Sequence, residues 1–571
     1  LMAGCSPEIQ EAAAVPPASQ TAPEPAPLDP EFTEYLQQRM AIEQIPGLSI
    51  AVVEAETPPA FYNFGYLSPD SAAAVSEHTL YEIGSITKTF TASLFAILME
   101  QPAYADAFPQ QSDTPVNEIL ARADIDSEFR LPDFEGDAIT LKHLLTHHSG
   151  LPRLPQNMTP AAADDPYRDY TRADLTEAVS GLELSRAPGE EFAYSNLGFM
   201  ILGYVSELLT GRDYDALVAT YITGPLEMTH TARLPDVRSE TATPTMSGEV
   251  VSPWRFEELR GLGELHSNAR DMARYVQAQL GQHEFEYSAS FAGLHAPATA
   301  VDEAFNMGLS WFREESAGQT LISHGGGTGG FRSYISFHPE SGRGVAVLTN
   351  SGSDVADIAR HLLNPQAALR PLPDTTPQDE ALLSRLTGFY LSDMLPMLTV
   401  SERDGILTAR LDGQSSFALE RVEPDGDAII FKNNNFGVEL EFFFDDSAAR
   451  AEAVELRQAG QEFRFSYSEE APEGPEAIAL STEELRQYVG SYDAAIGMSY
   501  EMFLDGERLM ARLTGQPASQ IYPEGNDRFF YTAVPAALEF RRDENGLIEA
   551  VELQQGGQQI LFLRNKDEPN R

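Results

Sequence analysis

The sequence predicts an α+β protein, in which one large domain of helices and strands is followed by two small antiparallel β-barrels. The 571 residues suffice for several domains, and 42% of them are hydrophobic, which is enough for sizeable cores. Helix-periodic and strand-like segments alternate up to about residue 365, whereas short alternating strands fill the rest of the chain. That rest repeats itself, because Leu383-x4-Gly388-x-Tyr390 recurs as Leu485-x4-Gly490-x-Tyr492.

The charge of the chain excludes some partners. Lys and Arg number 38 against 87 Asp and Glu, which gives a formal net charge of −49. Such a surface repels nucleic acid and anionic membranes, so we expect neither as a ligand. The single cysteine allows no intramolecular disulfide and no cysteine cluster for a metal. No apolar run reaches the length of a membrane-spanning helix.

The single cysteine, Cys5, follows Leu1-Met2-Ala3-Gly4 and precedes an Ala/Pro-rich tract. Small residues before a cysteine are typical of a bacterial lipobox, although Met2 stands where that motif usually has leucine. We interpret residues 1–28 as a lipobox remnant and a flexible tether, so the chain would begin inside a truncated signal peptide. We expect a periplasmic or extracellular protein that reaches the membrane only through lipid on Cys5. The alternative is an ordinary cysteine in a disordered leader.

The first folded domain is predicted to span residues 29–365. A helix is expected over Phe32–Glu43, because residues 32, 36 and 40 form one apolar stripe. The β-branched run Leu48–Val53 predicts a buried strand, and Phe61–Tyr66 is its expected hairpin partner.

The pair Ser85-x-x-Lys88 lies at the start of an apolar, helix-favouring run. Residues three apart share one face of a helix, so the lysine amine can reach the serine hydroxyl. A serine needs an adjacent base to become a nucleophile, and a lysine becomes that base when burial lowers its pKa. Gly84 precedes the serine where the backbone must turn sharply. Since most such pairs are solvated helix surface, the surrounding motifs decide the interpretation.

Three histidines, His143, His147 and His148, lie in a predicted helix with Thr140 as its N-cap and a stop at Gly150-Leu151-Pro152. Positions 143 and 147 have the spacing of two zinc ligands on one helix face. The segment has neither the glutamate of the helical zinc-protease motif nor a cysteine, so we expect structural histidines. The sequence predicts no metal and no cofactor.

Two further motifs carry groups that suit catalysis. Tyr194-x-Asn196 opens a helical run and offers a phenol for proton transfer and an amide for a substrate carbonyl, although such a tyrosine can also serve packing alone. His324 is followed by Gly325, Gly326 and Gly327, and glycines beside a strand let a substrate backbone approach closely. No Gly-Lys-Ser/Thr follows, which excludes a phosphate-binding loop.

In their order along the chain, Ser85-x-x-Lys88, Tyr194-x-Asn196 and His324-x-Gly326 resemble the serine β-lactamase and penicillin-binding-protein superfamily. The resemblance is greatest to the branch of class C β-lactamases, D-aminopeptidases and related esterases. It implies an antiparallel sheet flanked by helices plus an all-helical part, with the site between them. Further matching segments are Leu144–Pro152, Gly263–Ser267, Asp271–Tyr275 and Gly308–Trp311.

The resemblance also implies roles for the motif residues. Ser85 would be the nucleophile and Lys88 its base, Tyr194 would pass a proton to the leaving group, and Asn196 would bind the substrate. The backbone N–H groups of Ser85 and Gly327 would form the oxyanion hole, with Gly325 and Gly326 beside the substrate. His324 stands where class C β-lactamases have lysine. Because histidine is only partly charged at neutral pH, this difference argues against strong β-lactam hydrolysis.

The tail is predicted to form two barrel modules, at residues 378–470 and 478–571. Turn dipeptides at Asp404-Gly405, Asp505-Gly506 and Asn545-Gly546 separate their short strands. Strand Val438–Phe444 should place alternate apolar side chains inside. A catalytic domain followed by two barrels resembles the bacterial D-aminopeptidases, in which a barrel loop helps to limit access to the site.

The leading functional interpretation is a serine hydrolase that works through an acyl-enzyme on Ser85. We expect a peptidase or amidase for small peptides that contain D-amino acids, ahead of a carboxylesterase and of a β-lactamase or DD-carboxypeptidase. The interpretation outside enzymes is a penicillin-binding or wall-sensing lipoprotein. The expected partner is therefore a small-molecule or peptide substrate, and the sequence does not indicate the oligomeric state.

Overall fold

We analysed the fold in a computed structural model of the chain. The structure describes residues 26–565 apart from 126–127, 161, 163, 234–239, 302–304, 317–318, 375, 404, 413, 415, 423–427, 446–448, 472–476, 495–497, 507, 514–518, 526, 532–535, 544 and 556–557. The predicted lipobox at Cys5 and most of the tether lie outside these residues, as does Asp404 of one predicted turn. The predicted α+β fold class is confirmed: a domain with an eight-stranded antiparallel sheet flanked by helices is followed by two closed barrels.

Eight strands of the first domain form one sheet. They are β1 Gly47–Val53, β2 Ala60–Gly65, β3 Thr299–Ala300, β4 Phe305–Met307, β5 Phe312–Ser316, β6 Gln319–Gly327, β7 Arg332–His338 and β8 Arg343–Thr349. Their order across the sheet is β2-β1-β8-β7-β6-β5-β4-β3, and all neighbouring strands are antiparallel. The predicted hairpin of β1 and β2 is present. Strand β6, which carries His324, is therefore an interior strand paired on both edges.

Helices cover both faces of this sheet and form a separate helical part. They are α1 Pro30–Ile42, α2 Thr87–Glu100, α3 Val116–Arg122, α4 Leu141–Leu145, α5 Arg172–Ser180, α6 Asn196–Thr210, α7 Tyr214–Val218, α8 Ala269–Gln279, α9 Ser288–Phe291 and α10 Ala356–Leu363. Helices α1 and α10 bury Phe32 and Ile358 with Ile50 and Val347 on one face. Helix α8 packs on the opposite face together with α2 and the helical part.

Helix α4 is shorter than predicted. Thr140 is its N-cap with a reciprocal capping box, as expected, but the helix ends at Leu145 and does not continue to Gly150. The Thr146 hydroxyl donates to the Lys142 carbonyl, and His147 adopts a left-handed backbone conformation with φ 59°. The chain therefore turns at His147, which the helical pattern of the sequence did not reveal.

The tail forms two closed antiparallel barrels of eight strands each. The first has β9 Gly388–Leu391, β10 Leu398–Arg403, β11 Ile406–Leu411, β12 Phe417–Val422, β13 Ile429–Asn433, β14 Val438–Phe443, β15 Ala453–Gln458 and β16 Gln461–Ser468. The second has β17 Gly490–Asp493, β18 Ser499–Asp505, β19 Arg508–Leu513, β20 Ser519–Gly525, β21 Arg528–Phe530, β22 Ala536–Arg542, β23 Ile548–Gln555 and β24 Gln558–Arg564. One-turn helices α11 Glu380–Leu383 and α12 Thr482–Leu485 precede them.

Each barrel has its own apolar core. Because each barrel is closed, all eight of its strands are paired on both edges. As predicted for β14, Val438, Leu440 and Phe442 point inward and alternate with less buried residues. The first barrel also contacts the first domain, since the backbone N–H of Ser416 donates to the Ser247 hydroxyl. No helix within the described ranges is both long and apolar enough to cross a lipid bilayer.

Candidate active site

Ser85 lies in a short 3₁₀ turn, Gly84–Ile86, that leads directly into α2. Gly84 has a left-handed φ of 49°, and a Cβ placed on it would lie 2.6 Å from the backbone nitrogen of Gly327. The glycine thus allows the end of β6 to approach the serine. This close approach puts the backbone nitrogen of Gly327, one of the two expected oxyanion-hole donors, against the residue that precedes Ser85.

Lys88 is buried directly beside Ser85. Its Nζ donates to Ser85 Oγ at 3.0 Å and to the Leu262 carbonyl at 2.6 Å. Burial lowers the pKa of Lys88 to about 7, the negative charge of Glu264 opposes this shift, and the cation of Arg153 adds to it. Burial is the largest cause, as the sequence analysis expected. A large fraction of Lys88 is therefore neutral near pH 7 and can accept the serine proton.

Glu264 shapes the loop that holds Lys88. Its carboxylate accepts the backbone N–H groups of Gly261 at 2.7 Å, Leu262 at 3.2 Å and Gly263 at 3.0 Å. These bonds fold the loop around the buried carboxylate and present the Leu262 carbonyl to the lysine. Burial raises the pKa of Glu264, an effect that the backbone donors of Gly261 and Gly263 oppose.

Tyr194 completes the group of side chains around Ser85. Its hydroxyl interacts with the Ser85 side chain, and burial raises the pKa of the phenol to about 12. The Lys88 amine and the Arg153 guanidinium each lie 5.2 Å from the ring centroid, and the His147 ring stacks on it at 4.1 Å. At neutral pH Tyr194 is therefore a fixed, protonated phenol, which suits a proton donor and not a phenolate base.

Asn196 stands at the first position of α6, after the N-cap Ser195. Its Nδ2 donates to the Tyr167 hydroxyl at 2.9 Å, which fixes the orientation of the amide. Within the described structure Asn196 Oδ1 is buried and has no hydrogen-bond partner. An unsatisfied buried acceptor of this kind can receive an N–H group from a substrate.

His324 is buried on β6 and is neutral. Its Nδ1 lies 2.7 Å from the Gly325 carbonyl, so Nδ1 must carry the hydrogen and Nε2 is a free acceptor. Nε2 is buried without a partner in the described residues. Burial, reinforced by the charge of Lys88, lowers the pKa of His324 to about 3. The partial charge expected for this residue at neutral pH is therefore wrong.

The three glycines after His324 have different surroundings. A Cβ on Gly326 would lie 2.0 Å from the Ile83 carbonyl, so only glycine fits there. A Cβ on Gly327 would meet the Arg332 guanidinium at 2.9 Å. Gly325 would make an ordinary contact with Tyr334. Gly326 is therefore needed for the approach of β6 to the segment before Ser85, whereas Gly325 is not.

Ser85 lies where two cavities meet. The larger cavity, of about 1050 Å³, is lined by Tyr194 and His324 among others. The smaller one, of about 450 Å³, is lined by Asn196. Arg153 and Gly327 line both. The smaller cavity has an apolar wall, which consists of Leu154, Pro155, Met158, Pro160, Pro166, Tyr167, Trp254 and Phe256. Residues from the barrels reach both cavities: Arg410 and Gln414 line the larger one and Ser519 the smaller one.

The histidines weighed as zinc ligands have structural contacts. His147 Nδ1 accepts the Ser195 backbone N–H at 3.0 Å, and His148 Nδ1 contacts the Thr146 carbonyl at 2.7 Å. Burial lowers the pKa of His147 well below its ordinary value. Across the described part of the chain, no group of three or more His, Cys, Asp or Glu residues has the geometry of a metal site.

Sequence reasoning missed three residues that shape the site. Arg153 follows the Leu144–Pro152 motif directly, and Glu264 lies inside another matching segment, but neither received a role. Glu82 is 4% exposed, and its Oε1 accepts the Trp254 backbone N–H at 3.1 Å. Burial raises the pKa of Glu82 to about 8. Its position three residues before Ser85 was the available signal.

Two family models match this chain. The Beta-lactamase family matches residues 32–369, which is more than half of the sequence. A family described as a domain of unknown function (DUF3471) matches residues 474–564, the region of the second barrel.

Curated proteins from fungi and bacteria are similar to the first part of the chain. Unguisins hydrolase ungD' of Aspergillus campestris is 28% identical over 369 residues, which cover 60% of this chain and 66% of that protein. Protein flp of Staphylococcus aureus is 26% identical over 340 residues, which cover 56% of this chain and 62% of that protein. The chain thus spans less than two thirds of the length of these relatives.

Solved structures share the fold. The octameric penicillin-binding protein homologue from Pyrococcus abyssi has a TM-score of 0.50 and 23% identity, over 76% of this chain and 99% of that one. A class C beta-lactamase has a TM-score of 0.50 and 21% identity, over 59% of this chain and 96% of that one.

Proposed function

The chain belongs to the Beta-lactamase family of serine hydrolases, and from this premise we propose that it hydrolyses its substrate through an acyl-enzyme on Ser85. The observation that carries the proposal is the contact of one hydroxyl with two proton-transfer groups. Ser85 Oγ accepts from the Lys88 amine at 3.0 Å and interacts with the Tyr194 phenol. The three side chains meet at the junction of two cavities, where a substrate can place a group on either side of the serine.

The proposed reaction has two halves. Neutral Lys88 accepts the hydroxyl proton while Ser85 Oγ bonds to the substrate carbonyl carbon, and the N–H groups of Ser85 and Gly327 stabilise the oxyanion. The bond to the leaving group breaks as Tyr194 donates a proton to it. Protonated Lys88 then returns its proton to the Tyr194 phenolate and is neutral again. Water attacks the acyl-enzyme and loses a proton to Lys88, and this proton passes to Ser85 Oγ as the acyl product leaves.

The positions of Tyr194 and Asn196 support a separate role for each of the two cavities. Tyr194, the proposed donor to the leaving group, lines only the larger cavity, and Asn196, the proposed substrate-binding amide, lines only the smaller one. The acyl part of the substrate would therefore occupy the smaller, apolar cavity. The leaving group would occupy the larger one, beside His324 and the first barrel.

Within this class we propose a peptidase or amidase for small peptides that contain D-amino acids. An amine is a poor leaving group unless it is protonated, so a fixed phenol beside Ser85 favours amides over esters. The fungal relative is named unguisins hydrolase, and this name supports hydrolysis as the activity of the present chain. The neutral His324 offers no cation to a β-lactam carboxylate, which places β-lactamase activity lower. The D-configuration rests on the resemblance of the two-barrel architecture to D-aminopeptidases.

Labelling with a fluorophosphonate tests the acyl-enzyme. Intact mass measurement should show one adduct on the wild type and none on Ser85→Ala. Ser93→Ala is the matched control, because Ser93 lies on α2 and contacts Tyr275 away from the site. Labelling that survives in Ser85→Ala would contradict the assignment. Turnover of D-amino acid p-nitroanilides, p-nitrophenyl esters and nitrocefin on the same sample then ranks amidase, esterase and β-lactamase activity.

We also propose that Cys5 carries lipid in the native host and that the Ala/Pro-rich leader acts as a tether to the membrane. Cys5→Ser should then move the protein from the membrane fraction to the soluble periplasmic fraction. Identical fractionation of the wild type and the variant would contradict the proposal.

A further inference from the structure

The two barrels are repeats, and one pair of equivalent arginines differs between them. Ala409-Arg410-Leu411 on β11 corresponds to Ala511-Arg512-Leu513 on β19. In the second barrel, Arg512 lies opposite Glu501, to which it forms an ion pair of 3.5 Å, and stacks over Phe503 at 5.1 Å.

In the first barrel both of these partners are replaced. Thr399 lies opposite Arg410, at the position of Glu501, and Ser401 takes the position of Phe503. In the described structure Arg410 makes no ion pair and no side-chain hydrogen bond. Arg410 is exposed and lines the larger cavity, together with Gln414 from the adjoining turn.

Arg410 is thus a cation without an ion pair in the described structure, in a chain with a net charge of −49. The same cavity contains Arg332, whose guanidinium donates to the carbonyls of Thr328 and Phe331 at 2.9 Å but makes no ion pair within the described ranges. An acidic protein repels carboxylate substrates at long range, so cations without partners at the site are needed to bind them.

The cavity also contains three carboxylates. Asp354 forms an ion pair with Arg370 at 3.3 Å, and Asp164 accepts the Ser252 hydroxyl at 2.5 Å. Glu249 is exposed and has no ion pair in the described residues. Of these three carboxylates, Glu249 is therefore the one that could compete with a substrate carboxylate for Arg410.

We propose that Arg410 of the first barrel binds a carboxylate group on the leaving-group part of the substrate. The proposal rests on the proposed function, because that function places the leaving group in the larger cavity. The substrate class is then a peptide or amide whose leaving group ends in a free carboxylate. The first barrel thereby becomes a part of the substrate site, with Gln414 as an additional donor.

The test compares N-acetyl-D-phenylalanyl-D-alanine with its C-terminal amide, which lacks only the charge. Arg410→Gln removes the cation. Thr399→Glu retains it but installs the ion-pair partner that the second barrel has, and Arg512→Gln is the matched control. We expect the ratio of kcat/KM for acid over amide to fall about tenfold or more in the first two variants, mainly through KM, and to stay unchanged in the control.

Binding measurements make the test independent of turnover. On a Ser85→Ala background, calorimetric Kd values for the two peptides should show the same loss of preference for the acid. If Ser85 is not acylated but this preference is present and depends on Arg410, the proposed function fails and the carboxylate site stands. An unchanged ratio and an unchanged Kd preference in both variants would overturn the proposal. The proposal would also be overturned if Arg410→Gln lowered kcat/KM equally for both peptides and Glu249→Gln had the same effect. Arg410 would then serve only to dock the first barrel on the first domain.

Discussion

The Lys88 amine lies 3.0 Å from the Ser85 hydroxyl oxygen at a site where burial holds the pKa of the lysine at about 7. The ordinary value is 10.5, so burial converts a permanent cation into a group that is half neutral near neutral pH. The Leu262 carbonyl at 2.6 Å keeps the amine in place in either protonation state. One lysine can therefore be both anchored and basic.

This relationship predicts the pH dependence of the reaction. Because the neutral amine is the active form, kcat/KM should rise with pH through an apparent pKa near 7. One pH unit below this pKa, kcat/KM should be about tenfold lower than its plateau at high pH. Lys88→Arg should abolish this activity, since a guanidinium does not lose its proton. The measurement is kcat/KM on a neutral substrate from about pH 5 to about pH 9. A profile that is flat in this range, or that rises only near the ordinary lysine value, would contradict the role of Lys88.

Glu264→Gln should change the same profile through the loop. An amide retains one acceptor oxygen but turns an NH₂ group toward backbone donors, so at least one buried N–H loses its partner, at a cost of about 1–3 kcal/mol in the free energy of unfolding. Loss of the negative charge also removes the effect that raises the pKa of Lys88, so the rising limb should move to lower pH. A loss of stability without this movement would show a structural role only.

The control for this variant is Glu258→Gln. Glu258 accepts one backbone N–H, that of Arg172 at 2.9 Å, and does not contact the Lys88 loop. We expect its rising limb to coincide with that of the wild type. The comparison separates the positioning role of Glu264 from the general cost of replacing a carboxylate that accepts a backbone N–H.

The sequence predicted the parts of the site that depend on local spacing. Ser85 and Lys88 share a face because they are three residues apart, and the repeat at Tyr390 and Tyr492 indicated two barrels. The contacts of Arg153 and Arg410 with the cavities depend on how distant segments pack, and a single sequence contains no local pattern for that. The end of α4 at Leu145 was also missed, because the left-handed backbone of a histidine has no signature like that of glycine.

Glu82→Gln should alter the pH dependence of stability. Burial raises the pKa of Glu82 from 4.5 to about 8, so the folded protein retains a proton that the unfolded chain releases above about pH 4.5. The contribution of this group to the free energy of unfolding therefore falls as pH rises from about 4.5 to about 8. Glutamine keeps an acceptor for the Trp254 N–H without this effect. Relative to the wild type, the variant should gain roughly a few kcal/mol between these pH values.

Urea unfolding at several pH values checks the Glu82 prediction. Glu470→Gln serves as the control, because Glu470 is exposed on the linker between the barrels. A stability difference between Glu82→Gln and the wild type that is constant with pH would show that the carboxyl does not retain its proton in the folded state.

We expect His324 to influence the choice between neutral and anionic substrates. With its pKa lowered to about 3, it presents a bare Nε2 acceptor at neutral pH, since Nδ1 is occupied by the Gly325 carbonyl. His324→Lys would place a cation there and, as a like charge beside Lys88, would further favour the neutral form of that base. We expect acylation to persist and the kcat/KM ratio of nitrocefin over a neutral ester to rise about tenfold. His324→Ala should reduce turnover of both substrates, because it removes the acceptor that a substrate donor would use. The matched control is His338→Ala, which deletes a buried imidazole of the same sheet away from the site. His338 Nδ1 lies 2.8 Å from the Thr320 carbonyl.

If the kcat/KM ratio of nitrocefin over the neutral ester is the same in His324→Lys and the wild type, position 324 does not select substrates. The main argument against β-lactamase activity then fails as well.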